Sequence, residues 1–316
     1  MRKLVLLIIG TALALGAVHS SSQAAPEKRV ALVIGNAAYA NISPLQKPIN
    51  DAQKMAEVLR GLNYEVIVGI NASKRELDSL AQRFRTALKG ADVGFFFYSG
   101  HGFQTNRVEQ QHPINHIVPV DFNVQEVNTA VGSLALDVII DALRSQARVG
   151  FIFMDACRND PQLTAASERL ASNTRSVTIA RGFAPVAVIE KPSTAKAAPA
   201  KGPTGLLIAY ATDPGNVALE GDAGAFSPFT GALAKHLVTP GLSAGEIMGR
   251  VSAEVATQTG GQQTPWNVSS LTAGTYQFTP KPPAPPASGG TAKAPSARPA
   301  GSSLPPNLGV GVGSGL

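Results

Sequence analysis

The sequence predicts an α/β fold with a mostly parallel central sheet and helices on both faces. Two observations carry this. Short, almost wholly apolar runs of strand length recur along the chain, and amphipathic stretches of helix length separate them. A third observation concerns function: two of the apolar runs stop directly at reactive side chains, the place where open α/β sheets hold their sites.

Arg29 to Gly35 (RVALVIG) is nearly continuous in apolar character and halts at Gly35-Asn36, as a buried parallel strand does. Pro48-Ile49-Asn50-Asp51 opens a helix that runs to about Gly61, with Asn50 or Asp51 the expected N-cap. Tyr64 to Val68 reads as the second strand, and Ser73-Lys74-Arg75-Glu76 is a capping box that starts a helix to about Leu88. Asp92 to Tyr98 (DVGFFFY) is the third strand and runs into Ser99-Gly100-His101-Gly102. A loop holding Ile117-Val118-Pro119-Val120-Asp121 follows, then a helix from Val131 to Gln146. The fourth strand, Val149 to Met154 (VGFIFM), runs into Asp155-Ala156-Cys157-Arg158-Asn159.

Residues 159 to 204 break the rhythm with Ala, Ser, Pro and charge, and are expected to form a flexible linker. Order resumes with a fifth strand at Gly205 to Ala211, a helix around Pro228 to Leu237, and a helix to about Thr257 from the capping box Ser243-Ala244-Gly245-Glu246. A short strand at Thr275 to Phe278 is expected to close the domain, which therefore spans about residues 25 to 279.

The ends differ from this domain. Met1-Arg2-Lys3, an apolar run from Leu4 to Val18 and the small residues Ser22 and Ala24 form a signal-peptide pattern over residues 1 to 24. The run is shorter than the roughly 18 to 20 residues that span a bilayer, so the mature protein is expected to carry no membrane span and to be periplasmic or secreted. Residues 280 to 316 are built of Pro, Ala, Gly and Ser and are expected to be a disordered tail.

The formal charge of +6 is misleading, because Arg2 and Lys3 supply two charges and Lys281, Lys293 and Arg298 three, which leaves the domain near +1. With no aromatic-interleaved basic run either, nucleic acid is not an expected partner.

The chain has one cysteine, so an internal disulfide is excluded, and the thiol is either buried and inert or kept for its reactivity. Cys157 after the fourth strand and His101 after the third are expected at the same sheet edge. A thiol near its free pKa of about 8.5 is mostly protonated at neutral pH, so a nucleophilic cysteine needs such a histidine. Glycines flanking His101 allow close approach of a substrate, and the amides of Gly102 and Cys157 are candidates for an oxyanion hole. The imidazole would then protonate the leaving amine.

At these positions the chain resembles the caspase and metacaspase family of cysteine peptidases. That pattern places a histidine about 50 residues before a cysteine in a Gln-Ala-Cys-x-Gly context. Ala156 and Cys157 fit, whereas Asp155 replaces the glutamine and Asn159 the glycine, which points to the metacaspase-like branch. The resemblance extends over about Arg29 to Phe278 and includes Gly35-Asn36, Asn50-Asp51-Ala52, Tyr210-Ala211-Thr212 and Ser227-Pro228-Phe229-Thr230.

The resemblance implies a caspase-haemoglobinase fold and polypeptide substrates cut through a Cys157–His101 dyad. It also implies that Asp51 and Asp155 line a pocket for arginine or lysine before the scissile bond, in keeping with a carboxylate pair's demand for a cation. From the residues alone, Asp51 is equally a helix cap and Asp155 a hydrogen-bond acceptor for the following loop. The linker holds Arg169, Arg175, Arg181, Lys191, Lys196 and Lys201, so self-processing there would match the implied preference. A module of this fold that binds peptides or partners without turnover is the alternative.

No cofactor is expected. Calcium dependence rests on the resemblance alone, because no calcium-ligand cluster matches the sequence. His112 and His116, four residues apart in a polar loop, read as surface histidines rather than a metal pair. Neither Ser99 nor Ser227 sits in a Gly-x-Ser-x-Gly elbow.

Overall fold

The computed structural model describes residues 26–107, 114–123, 132–157, 177–181, 204–213, 218–219, 225–272 and 276–282; for 106–107, 157 and 177–181 it describes the backbone only. The signal-peptide residues, His112 and most of the linker and tail therefore lie outside the described residues. Two units divide the chain, Met1–Lys281 and Pro282–Leu316, and only Pro282 of the second is described.

The strands are β1 (Arg29–Gly35), β2 (Glu65–Ile70), β3 (Ala91–Arg107), β4 (Ile114–Ile117), β5 (Leu134–Ala135), β6 (Ala147–Cys157), β7 (Val177–Arg181), β8 (Gly205–Tyr210) and β9 (Trp266–Ser269). The helices are α1 (Pro48–Gly61), α2 (Lys74–Ala87), α3 (Leu136–Gln146), α4 (Pro228–Leu237) and α5 (Ala244–Gln258). The central sheet runs β2-β1-β3-β6-β8-β9, parallel throughout except for the antiparallel edge strand β9.

Strand periodicity separates the two cores. Ala31, Val33, Phe95, Phe97, Phe151 and Phe153 face Met55 and Leu59 of α1, Phe229 of α4 and Val251 of α5. Leu32, Ile34, Phe96, Tyr98, Ile152 and Met154 face Leu77 and Phe84 of α2 and Ile139 and Leu143 of α3. Both faces being apolar explains why the strands read as unbroken apolar runs. Between β3 and α3 the sheet is notched: Gly94 and Gly150 are register partners, and a Cβ on Gly94 would strike Leu143 at 2.3 Å while one on Gly150 would strike Leu206 at 2.6 Å and crowd Leu143.

Three expectations need correcting. β3 does not stop at Tyr98. It continues through Ser99-Gly100-His101-Gly102 and changes neighbours, leaving β1 at Ser99 and joining β4 at Gly102 in a second, antiparallel sheet. Second, β9 closes the sheet, whereas the expected strand at 275–278 supplies one isolated bridge, Gln277 to Ser243, and buries Tyr276 and Phe278. Third, α1 is capped by neither Asn50 nor Asp51. Its N-cap is Lys47, because Pro48 occupies the first helical position with its φ already helical, and Asp51 falls inside the first turn.

Smaller differences share a cause, the pairing of short polar-flanked segments. Helix α3 starts at Leu136 rather than Val131 because Leu134–Ala135 pair with β4, and Val177–Arg181 of the expected linker pair antiparallel with β3. His116 is not at the surface. It is buried on β4, hydrogen-bonded to Thr105 and Ser133 at 2.9 Å each and stacked on Phe103. Both capping boxes form, with the Ser73 and Ser243 amides donating to Glu76 and Glu246 at 2.8 Å.

Two predictions follow from the packing. A Cβ at Gly35 would fall on the Pro48 carbonyl oxygen and lie 2.7 Å from Ala52 Cβ, so Gly35→Ala should cost about 3 kcal/mol in chemical denaturation by pushing α1 off β1. Burial, as the largest cause, pushes the Tyr276 phenol up to about 12 from its usual value near 10. The unfolded chain then ionises first, so stability is intact below about pH 10 and falls as pH rises toward 12. Tyr276→Phe should shrink that fall by about 2 kcal/mol, read from denaturation midpoints at pH 9 and 11.5.

Candidate active site

The site begins with a register. From Val93↔Val149 onward β3 and β6 pair in parallel without a break as far as Ser99↔Asp155, Gly100↔Ala156 and His101↔Cys157. Adjacent strands lie about 4.8 Å apart, so the backbones of His101 and Cys157 are immediate neighbours at the end of the central sheet. Gly102 follows in β3 opposite Ile117 of β4, at the seam between the two sheets.

His101 is buried, with 3% of its surface exposed. Its Nε2 donates to the Ser43 carbonyl oxygen at 2.9 Å, since a carbonyl can only accept. That bond fixes the tautomer and leaves Nδ1 as the basic nitrogen of the neutral ring. The Tyr39 ring lies against the imidazole, centroids 4.7 Å apart. Sequence reading missed Ser43, which acts through a backbone carbonyl that residue type does not announce.

Asp51 and Asp155 come together. Strand period puts Ser99 and Asp155 on the face covered by α1 and α4. The Ser99 hydroxyl donates to Asp51 Oδ2 at 2.9 Å, and the Ser227 amide donates to Asp51 Oδ1 at 2.9 Å. Asp155 Oδ2 accepts from the Ser227 hydroxyl in a very short bond and from the Thr230 hydroxyl at 2.6 Å. Both carboxylates, at most 3% exposed, thus meet on Ser227, the N-cap of α4, where the helix dipole favours negative charge. In the sequence Ser227 and Thr230 stood out only as part of the family resemblance, with no hint of the carboxylates they hold.

Among the described residues no group of three or more His, Cys, Asp or Glu side chains is placed to hold a metal ion. Asp51 and Asp155 are engaged by hydroxyls and an amide, so no step is routed through calcium. No described helix is long and apolar enough to cross a membrane.

Comparison with known proteins bears on the family of the chain. The human mucosa-associated lymphoid tissue lymphoma translocation protein 1 is 27% identical over 86 residues, 27% of this chain and 10% of that protein, and its mouse homologue matches equally. The chain thus spans about a tenth of the length of these curated relatives. Among solved structures, protein GSU0716 of Geobacter sulfurreducens is 17% identical with a TM-score of 0.49, covering 81% of this chain and 95% of that one. The Drosophila initiator caspase Dronc is 14% identical with a TM-score of 0.46, covering 88% and 95% respectively. A family model described as the caspase domain matches residues 28–276, from the residue before β1 to Tyr276 of the first core, and the chain belongs to that family.

Proposed function

We propose that the protein is a cysteine endopeptidase that cuts polypeptides after arginine or lysine, with Cys157 as nucleophile and His101 as acid and base. The observation that carries this reading is the His101↔Cys157 register, which places the one cysteine of the chain beside an oriented, buried histidine.

In this mechanism the sulfur of Cys157 attacks the scissile carbonyl carbon while its proton passes to His101. The developing oxyanion is held by the amides of Gly102 and Cys157. Collapse breaks the C–N bond, the imidazolium gives its proton to the leaving amine, and a thioester remains. His101 then takes a proton from water, whose oxygen attacks the thioester; the acid product leaves and the thiol is restored.

The specificity reading is supported by the shared burial of Asp51 and Asp155. Their hydroxyl and amide donors hold two carboxylates side by side, an arrangement complementary in charge to a guanidinium or ammonium group. Self-processing draws support from β7, whose pairing sets Arg181 opposite Phe103, two residues beyond His101. The N-terminal signal-peptide pattern supports action outside the cytoplasm, in the periplasm or as a secreted protein.

Peptides carrying a fluorogenic group after Arg, Lys or Asp separate the possibilities. The Arg and Lys peptides should be cleaved and the Asp peptide left intact. Cys157→Ala should lose at least about 10³-fold in kcat/KM, and Asp155→Asn about 100-fold on the Arg peptide. Cleavage after Asp would sink the pocket assignment, and an intact peptide set with an unreactive thiol would favour a binding module. Separately, purified wild-type protein should be clipped after a basic residue between 159 and 204, whereas Cys157→Ala stays whole by mass spectrometry. A linker equally stable in both removes self-processing.

A further inference from the structure

We propose that Tyr39, together with Tyr98, is the positioning device for His101: a ring of hydrogen bonds closed around the backbone of that one residue. This rests on the dyad reading above and adds two residues to it.

The amide of His101 donates to the Tyr39 hydroxyl at 2.8 Å. The Tyr98 hydroxyl donates to the carbonyl oxygen of His101 at 2.6 Å. A phenol has a single proton, so Tyr98 spends it on that carbonyl, and the 3.3 Å contact between the two hydroxyls runs from Tyr39 as donor to Tyr98 as acceptor. The circuit therefore leads from the His101 N–H to Tyr39, on to Tyr98, and back to the His101 C=O. Both peptide groups of the histidine are held while its ring is packed against Tyr39 and tied to Ser43.

Each part has a reason in the chain. Gly100 has a φ of +154°, and a Cβ there would lie 2.5 Å from the Tyr98 hydroxyl oxygen and 2.7 Å from that of Tyr39, so the circuit forms only because position 100 is glycine. Tyr39 and Ser43 belong to one segment between β1 and α1. That segment is fixed by the Ala37 and Ala38 amides donating to Asn71 Oδ1, by the Ala40 amide donating to the Val120 carbonyl, and by Ile42 in a small core with Phe103, Val118 and Phe122. A rigid segment thus grips the histidine by ring and by backbone, where sheet pairing alone leaves rotation about its side chain unset. Chains of buried hydrogen bonds reinforce one another, so loss of one hydroxyl loosens the whole circuit.

Tyr39→Phe keeps the ring and removes only the hydroxyl. With the Arg peptide it should lower kcat about ten-fold with KM within about two-fold, a partial loss of what general acid–base catalysis contributes. The chain has one cysteine, so iodoacetamide reads Cys157 directly, without turnover. Alkylation of Tyr39→Phe near pH 6.5 should slow by a similar factor, and its pH profile should move toward that of a free thiol near 8.5. Tyr98→Phe should move both readouts in the same direction, and Tyr64→Phe, buried elsewhere, neither. Wild-type kcat and alkylation in Tyr39→Phe would overturn the proposal, as would losses that vanish on cooling in step with regained stability. His101→Ala separates the two levels. If it alkylates slowly while Tyr39→Phe does not, the circuit fails and the dyad stands; if it alkylates like wild type, the dyad fails and the circuit with it.

Discussion

Parallel pairing of β3 with β6 in one register is the constraint on which the rest of the site depends. Ten register pairs carry it from Ala91↔Ala147 to His101↔Cys157, so the separation of His101 and Cys157 is set by the spacing of a sheet rather than by loop geometry. Everything else described here adjusts what that sheet presents. Tyr39, Tyr98 and Ser43 set the histidine, and Ser99 and Ser227 set the carboxylates one turn of pleat earlier.

The polar cluster on Ser227 also joins distant parts of the chain. Asp51 is 176 residues from Ser227 and Asp155 is 75 from Thr230, yet both carboxylates close on the first turn of α4. A buried carboxylate without such donors would be costly, so the cluster makes the docking of α4 on α1 and β6 specific in a way that apolar contacts alone do not. The same donors that anchor the helix aim the charges.

Much of this fold was legible because its central strands are buried on both faces. RVALVIG, DVGFFFY and VGFIFM announce themselves as apolar runs, and the capping boxes at Ser73 and Ser243 mark helix starts by short-range chemistry. The neighbouring placement of His101 and Cys157 was legible for the same reason, since both residues follow such runs. Less legible was anything decided by partners far away. The continuation of β3 past Gly100 depends on β4 and β7, and β9 carries only Trp266 and Val268 as inward residues, too brief an alternation to read. The N-cap of α1 was misassigned because Asn and Asp are good caps in general, whereas Pro48 had already set the helix start. Ser43 and Tyr39 were out of reach because their contacts with His101 span about 60 residues and one of them is made by main chain.

Burial on both faces has a further consequence for β3 and β6. Where one face of a strand meets solvent, a slip of one residue moves every apolar side chain outward and is strongly opposed. Here Phe95, Phe96 and Phe97 are apolar toward both cores, as are Phe151, Ile152 and Phe153, so hydrophobic patterning barely distinguishes the native alignment from its neighbour. Alignment must be specified by residues that tolerate only one position: the Gly94–Gly150 notch filled by Leu143 and Leu206 at one end, and Ser99 and Asp155 bound to α1 and α4 at the other. The buried polar groups beside His101 and Cys157 thus act as the index marks that align two otherwise featureless apolar strands.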